Sequence, residues 1–179
     1  MKKFSFQVLG LIILIFGGTY LTFNAKYLTP LAGVFKQPAT VQQNASDKTD
    51  KLAIIGVDGV TKAQLTIEIA DTKEVRSKGL GYRESLATDS GMLFIHDNSQ
   101  KHTYWMKGME FAIDIMWIKG DTIMDIIPNV PPPIVGQTED TLERYSSTVD
   151  VDTVLETNAG FVAEKNIEKG DKIKIENAN

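Results

Sequence analysis

The chain contains no cysteine, and this absence excludes several classes of protein. Without thiols there is no disulfide, no thiolate zinc site, no catalytic cysteine and no acylated cysteine of a bacterial lipoprotein. An excess of positive charge is also missing, because 19 Lys and Arg residues stand against 23 Asp and Glu residues, a net charge of −4. Since binding to phosphate backbones relies on clustered cations, nucleic acid is not an expected partner.

The motifs of the best-known enzyme classes are missing as well. The sequence contains no Gly-x-Ser-x-Gly segment, no P-loop and no His-Glu-x-x-His segment. Acyl transfer, nucleotide hydrolysis and zinc proteolysis therefore lack the groups that they require. A length of 179 residues fits one domain of ordinary size with an appendage.

The first residues are the most apolar part of the chain. Lys2 and Lys3 precede residues 4–23, which are dominated by Leu, Ile, Phe and Gly. About 20 apolar residues span a bilayer as a helix, and basic residues before such a helix keep that end in the cytoplasm. We therefore predict a signal-anchor, a transmembrane helix over residues 1–26, with the rest of the chain outside the cytoplasm. Cleavage after Ala25 would instead give a secreted form, but bulky Phe23 disfavours it.

Polar residues follow the apolar segment. Residues 27–62 are rich in Gln, Asn, Ser, Thr and Lys, and Pro30 and Pro38 interrupt regular structure. Such a composition buries too little apolar surface to order itself, which predicts a flexible linker over residues 27–62. Residues 52–60 could nevertheless add a strand to the domain that we predict over residues 63–179.

Short β segments dominate this domain. Residues 64–70 alternate apolar and polar side chains, and further β-rich segments occur at 92–95, 103–106, 113–118, 122–127, 153–156 and 172–176. Asp71 is a predicted N-cap for a helix at 72–78 that stops at Gly79, and Asn158 for a helix at 159–165. The fold class is therefore α+β and mainly antiparallel, a sheet that could close into a barrel, with two or three short helices.

The order and spacing of several motifs resemble the bacterial and archaeal domain of unknown function 192 family, over residues 64–175. The residues that carry this resemblance are Glu74-Val75-Arg76, Gly79-Leu80, Arg83, Gly91-Met92-Leu93-Phe94, Trp105-Met106-Lys107, Asp114-Ile115, Leu155-Glu156, Asn158-Ala159-Gly160 and Gly170-Asp171. Gly81 stands where the family usually has Met, and Gly108 where Asn usually follows the Lys. The resemblance implies a fold and often an export signal, but no reaction.

Five residues are candidates for a ligand-binding cleft with a polar rim: Arg83, Trp105, Lys107, Asp114 and Glu156. The Arg83 fork could bind an anion or pair with a buried carboxylate, and the residues alone favour the pair. Asp114 lies in an apolar strand, where a carboxylate needs a partner, so a structural role is again the commoner explanation. Lys107 could present its amine at a rim or simply be solvated, and Trp105 could stack on a ligand or fill the core.

We interpret the chain as a membrane-tethered extracytoplasmic domain that binds a small molecule or an envelope protein. A rival hypothesis is an enzyme of cell-envelope saccharide, with Asp114 and Glu156 as its acid and base. A third is a structural module without chemistry. The residues favour a non-enzymatic role and predict no cofactor and no metal. The Met and His residues are explained as ordinary core residues, and the acidic segment 139–152 is explained as a solvated loop.

Overall fold

The computed structural model describes residues 49–176, which hold nine strands and two α-helices. The strands are β1 Thr49–Ile55, β2 Thr61–Ala70, β3 Ser90–Gln100, β4 Thr103–Tyr104, β5 Ile113–Lys119, β6 Thr122–Val130, β7 Tyr145–Ser146, β8 Val151–Asn158 and β9 Lys172–Glu176. The helices are α1 Lys73–Lys78 and α2 Phe161–Glu164, and a 3-10 helix covers Glu139–Thr141.

Seven of these strands close into a barrel in the order β1-β2-β3-β8-β5-β6-β9, and β9 pairs with β1. Strands β2 and β3 are parallel, and the other neighbouring pairs of the barrel are antiparallel. Strands β4 and β7 form a separate two-stranded sheet. The mainly antiparallel, barrel-like fold that the sequence predicts is therefore confirmed, including the tight turn at Gly120 between β5 and β6.

Apolar side chains from all seven barrel strands meet in the interior. This inner cluster consists of Leu52, Ile54, Ala63, Leu65, Ile67, Leu93, Met116, Ile118, Ile123, Leu155 and Ile173, with Phe161, Val162 and Ile167 from helix α2 and the residues after it. Because successive side chains of a strand point to opposite faces, every second residue of the strands reaches this cluster.

A second apolar cluster covers the outer face of strands β3, β5 and β8. It contains Met92, Phe94, Ile113, Ile115, Trp117 and Val154, and Leu80, Met106 and Met109 pack over them from the connecting segments. Strand β5 thus has one apolar cluster on each face, which explains why residues 113–118 are all buried. The outer cluster, rather than the barrel interior, borders the candidate site.

Several predicted boundaries differ from the structure. Strand β1 lies inside the segment predicted as a linker, so the folded domain begins no later than Thr49 instead of at Ala63. Leu52 and Ile54 are buried in the inner cluster, and their apolar surface offsets the cost of ordering this segment. The extra strand that the sequence allowed at 52–60 is therefore present, but earlier in the chain.

The helix caps also differ from the prediction. The side chain of Thr72, not of Asp71, accepts a hydrogen bond from the Val75 amide at the start of α1. The predicted stop at Gly79 is confirmed, and this glycine has φ 52°. Helix α2 begins after Gly160 rather than after Asn158, because Asn158 is the last residue of β8.

The predicted transmembrane helix over residues 1–26 and the first part of the predicted linker lie outside the described residues. Within residues 49–176, no helix has the length and apolar character needed to cross a bilayer.

Candidate functional site

A narrow cavity lies beside the outer cluster, between helix α1, the segment that follows it, and strand β4. This inner cavity has a volume of about 50 Å³, and Arg76, Phe94, Tyr104 and Trp105 form part of its wall. Glu156 lines it from strand β8. A wider outer cavity of about 260 Å³ adjoins it and is also lined by Arg76, Tyr104 and Trp105. We call the two together the cleft.

Glu156 is the acidic residue of the inner cavity. It pairs with Met92 of β3 and Ile115 of β5, so its side chain lies on the outer face of the barrel among apolar neighbours. The residue is 6% exposed, and its carboxyl group has no hydrogen-bond or ion-pair partner among residues 49–176. Loss of hydration disfavours the charged form and raises the pKa of Glu156 to about 8. At neutral pH this group is a protonated carboxyl that can donate a hydrogen bond.

Tyr104 separates this carboxyl group from two histidines. Its ring packs edge-on against Phe94 and Trp117, with centroid distances of 5.2 and 5.3 Å. Its hydroxyl oxygen lies 2.9 Å from Nε2 of His96, whose ring stacks on that of His102 at 3.5 Å. Burial lowers the pKa of His96 to about 4, with a smaller contribution from His102, so His96 is neutral at pH 7. Burial also raises the pKa of Tyr104, which keeps its hydroxyl protonated.

The stacked pair does not resemble a metal centre. Ring stacking at 3.5 Å directs the ring nitrogens of His96 and His102 sideways, and Nε2 of His102 already lies 3.1 Å from the Asn98 carbonyl oxygen. No group of three His, Asp or Glu side chains within residues 49–176 is arranged to hold a metal ion.

Trp105 lies at the junction of the two cavities and is held by cations. The Arg144 guanidinium lies 4.0 Å from its ring centroid, and the Lys107 ammonium lies 5.3 Å from it. Lys107 also forms an ion pair of 2.5 Å with Glu139, which raises the pKa of Lys107. These contacts fix the indole in place, so the rim of the cleft is ordered by side chains from three separate segments.

Arg83 has a structural partner outside the inner and outer cavities. Its guanidinium forms a two-pronged ion pair with the Glu68 carboxylate of β2, with N–O distances of 2.5 and 2.9 Å. This pair raises the pKa of Arg83 and lowers that of Glu68. The structure thus shows the pairing of Arg83 with a carboxylate that the sequence favours. The pair occupies the two guanidinium nitrogens that a ligand anion would need.

Asp114 is fully buried and connects three elements. Its carboxylate accepts backbone N–H groups of Asn129 at 2.8 Å, Gly160 at 3.2 Å and Val162 at 2.9 Å. These amides belong to β6 and to the start of α2, whose unpaired N–H groups need acceptors. Asp114 therefore joins β5, β6 and α2, and both of its oxygens are occupied.

Asp114 and Glu156 lie on opposite faces of the barrel wall. Asp114 is paired with Thr157, whereas Glu156 is paired with Ile115, and neighbouring residues of a strand point to opposite sides. The sheet therefore separates the two carboxyl groups. A glycosidase of the two-carboxylate kind needs both groups on either side of one bond, so this arrangement does not support that mechanism for this pair.

Three of the five predicted site residues line the inner cavity: Trp105, Lys107 and Glu156. The other two, Arg83 and Asp114, are placed elsewhere by their own partners. Arg76 and Tyr104 line both cavities but were not among the five. No pattern in the sequence distinguishes Arg76 or Tyr104 from its neighbours.

Comparison with known proteins adds the family. The sequence model of the domain of unknown function 192 family, described as "Uncharacterized ACR, COG1430", matches residues 54–175, more than half of the chain. The chain belongs to this family. No curated protein sequence matches the chain significantly.

Crystal structures similar to this chain include the following two. A Sinorhizobium meliloti protein described as "a putative transcription regulator" is 31% identical with a TM-score of 0.64, over 71% of this chain and 93% of that one. A Novosphingobium aromaticivorans protein of unknown function is 26% identical with a TM-score of 0.62, over 70% of this chain and 84% of that one. Neither description supplies a ligand or a reaction.

The two departures from the family pattern lie next to the cleft. Gly108 has φ +69°, a left-handed conformation that Asn also tolerates, but a Cβ here would lie 2.8 Å from the Tyr82 ring. Tyr82 thus occupies the space that the usual side chain would need. Gly81 lines the inner cavity itself, and a Cβ there would lie 3.1 Å from the carbonyl oxygens of Lys78 and Lys107.

Proposed function

We propose that this family member binds a small molecule in the cleft, with Glu156 as the hydrogen-bond donor at its inner end. The observation that carries the proposal is the Glu156 carboxyl group, which is buried beside a cavity without a partner. Burying such a group costs free energy, and a ligand with an acceptor atom would recover that cost. Because the inner cavity is only about 50 Å³, it would hold one small group of a ligand whose remainder lies in the outer cavity.

We further propose that the domain is tethered outside the cytoplasm by residues 1–26, as the sequence predicts. An extracytoplasmic position would give the cleft access to envelope components and external metabolites. The name of the Sinorhizobium relative suggests gene regulation, but a net charge of −4 gives no electrostatic support for DNA binding.

The test is thermal unfolding of the full chain in detergent with four probes: N-acetylglucosamine, benzoate, phenyl phosphate and benzylamine. A ligand that binds only the folded state stabilises it, by about 2.7 kcal/mol at a hundredfold excess over its Kd. We expect a rise in Tm with at least one probe. Glu156→Gln, which keeps a donor, should retain the rise, and Glu156→Leu should lose it.

Glu176→Gln is the matched control, because it removes an exposed carboxylate at the end of β9. It should respond like the unaltered chain. Two results would contradict ligand binding through Glu156: no probe changes the Tm of the unaltered chain, or Glu156→Leu responds as well as Glu156→Gln. Either result would favour the hypothesis of a structural module.

A further inference from the structure

The outer cavity is lined by donor groups and contains no carboxylate. Lys73 and Arg76 of α1 contribute permanent positive charges, and Ser77 and Thr103 contribute hydroxyl groups. The remaining lining residues are His96, His102, Tyr104 and Trp105. The chain as a whole has a net negative charge, whereas the lining of this cavity is positively charged. This positive charge favours an anionic group of a ligand.

Arg76 is fixed in place but keeps part of its hydrogen-bonding capacity. Its Nη1 donates to the carbonyl oxygen of Ile95 at 2.8 Å and to that of Asp71 at 2.5 Å. Nε and Nη2 of Arg76 have no hydrogen-bond acceptor among residues 49–176. Neither atom is fully buried, so both remain accessible. The planar guanidinium thus retains one edge, formed by Nε and Nη2, for a two-pronged contact with an oxyanion.

Lys73 lies three residues before Arg76 on α1, so both side chains leave the same face of the helix. No ion pair or hydrogen bond occupies the Lys73 ammonium within the described part of the chain. The carboxylates of Asp97 and Asp152 act to raise the pKa of His96, but neither residue lines the outer cavity, and Asp152 is already hydrogen-bonded to the Gly120 amide. The two cations therefore line an outer cavity whose wall contains no carboxylate.

We propose that the outer cavity binds the oxyanion group, a carboxylate or a phosphate, of the small molecule whose other end reaches Glu156. The free edge of Arg76 would hold two of its oxygens, with the Lys73 ammonium and the Ser77 hydroxyl around them. Trp105, at the junction of the two cavities, would contact the uncharged part of the ligand. This inference rests on the proposed function and adds the chemical class of the ligand to it.

The test is calorimetric titration of the full chain with benzoate, phenyl phosphate and benzylamine in a buffer free of phosphate. We expect saturable binding of at least one of the two anions and not of the amine. Lys73→Gln and Arg76→Lys should each weaken it by roughly tenfold, the effect of one charge-assisted contact. Lys174→Gln, which removes an exposed cation from β9, should leave it unchanged.

Benzoate carries a carboxylate and phenyl phosphate carries a phosphate group. The probe that binds more tightly therefore shows which of the two oxyanions the outer cavity prefers. Because Arg76 also holds two carbonyl groups, Arg76→Lys could weaken the fold, whereas the exposed Lys73 can be replaced without that loss. A thermal shift with N-acetylglucosamine that depends on Glu156, without saturable binding of either anion, would overturn the anion inference and leave the proposed function standing. Saturable binding of benzylamine alone would overturn both, because an ammonium group has no acceptor atom for the Glu156 donor. Absence of saturable binding by both anions overturns the anion inference, and so does anion binding that Lys73→Gln does not weaken.

Discussion

Glu156 makes the stability of the domain depend on pH. The unfolded chain releases this proton near the ordinary pKa of 4.5, whereas the folded domain holds it up to about 8. Between these values the folded state binds more protons, so the free energy of unfolding falls as the pH rises and levels off above pH 8. The loss is at most about 5 kcal/mol, since each pH unit contributes about 1.4 kcal/mol.

We therefore predict that Glu156→Gln removes most of this fall while preserving the shape of the buried group. Urea unfolding at pH 5, 7 and 9 measures it, with Glu176→Gln as the control that keeps the wild-type slope. Parallel pH curves for the wild-type protein and Glu156→Gln would show that Glu156 is ionised at neutral pH, against the assignment made from its burial.

Asp114 stabilises the fold rather than the cleft. Asp114→Asn replaces one of the two acceptor oxygens with an amide that cannot accept the backbone N–H groups now bound there. We expect a loss of at least about 3 kcal/mol, because charged, buried hydrogen bonds are involved. Urea unfolding measures this loss, and Asp140→Asn, an exposed acid of the 3-10 helix, is the control. A loss below about 1 kcal/mol would contradict the role of Asp114 as the joint between β5, β6 and α2.

For single residues, the sequence predicts which side chains have useful chemistry better than it predicts where those side chains lie. The sequence makes both Asp114 and Glu156 candidate site residues, but which face each one occupies depends on the register of β5 against β8. One residue of register exchanges the two faces. Likewise, the partner of Arg83 is Glu68, fifteen residues earlier, and no local pattern distinguishes it from other acids.

Among the elements, strand β8 crowds strand β3 at Gly91. A Cβ at this position would lie 2.9 Å from the Glu156 carbonyl oxygen and 3.1 Å from Cδ1 of Leu155. The backbone that holds Glu156 thus leaves no room for a side chain on the inner face of β3. The first residue of the Gly91-Met92-Leu93-Phe94 motif therefore has a steric explanation.

We predict that Gly91→Ala destabilises the domain by about 1–3 kcal/mol, the usual effect of overpacking. It should also weaken any probe binding that depends on Glu156, because β8 must shift to relieve the contact. Chemical unfolding gives the first result and thermal shifts the second. Ser90→Ala, the preceding residue of β3, is the control. Unchanged stability in Gly91→Ala would mean that the two strands are further apart than described.

Element existence was easier to predict than element boundaries. Alternation over residues 64–70 predicted β2, whose inward residues Leu65 and Ile67 are fully buried. The polar residues before β1 dominate the composition of this segment and so favour a linker, although Leu52 and Ile54 show the same alternation. Asn158 is a good N-cap type, yet the β8 ladder extends through it, and its amide donates to the carbonyl oxygens of Leu86 and Ala87 instead.

On the scale of the whole molecule, the predicted anchor remains to be tested. If residues 1–26 span the membrane, the full chain should stay in the membrane fraction after alkaline carbonate extraction. A chain that begins at residue 27 should be recovered in the soluble fraction. Added protease should digest the domain in spheroplasts with intact membranes, since the domain would face outward. Full-chain protein in the soluble fraction, or a domain protected from protease, would contradict the tethered orientation.

The barrel and its outer cluster together explain where a ligand site can exist in this molecule. The interior is packed with apolar side chains from all seven strands. The outer cluster is instead covered by helix α1, strand β4 and their connecting segments, and the cleft lies at the margin of this cover. Closure of the barrel depends on pairing between strands far apart in sequence, such as β1 with β9, which local patterns do not reveal.

The central claim is that Glu156 is a protonated donor which a ligand contacts, and carbon NMR of labelled glutamate carboxyl groups tests it most directly. Glu156→Gln identifies the Glu156 resonance by its loss. The account predicts that this resonance titrates near pH 8 in the free protein and shifts when the probe with the largest thermal effect is added. A titration near pH 4.5, or a resonance that no probe moves, would contradict it.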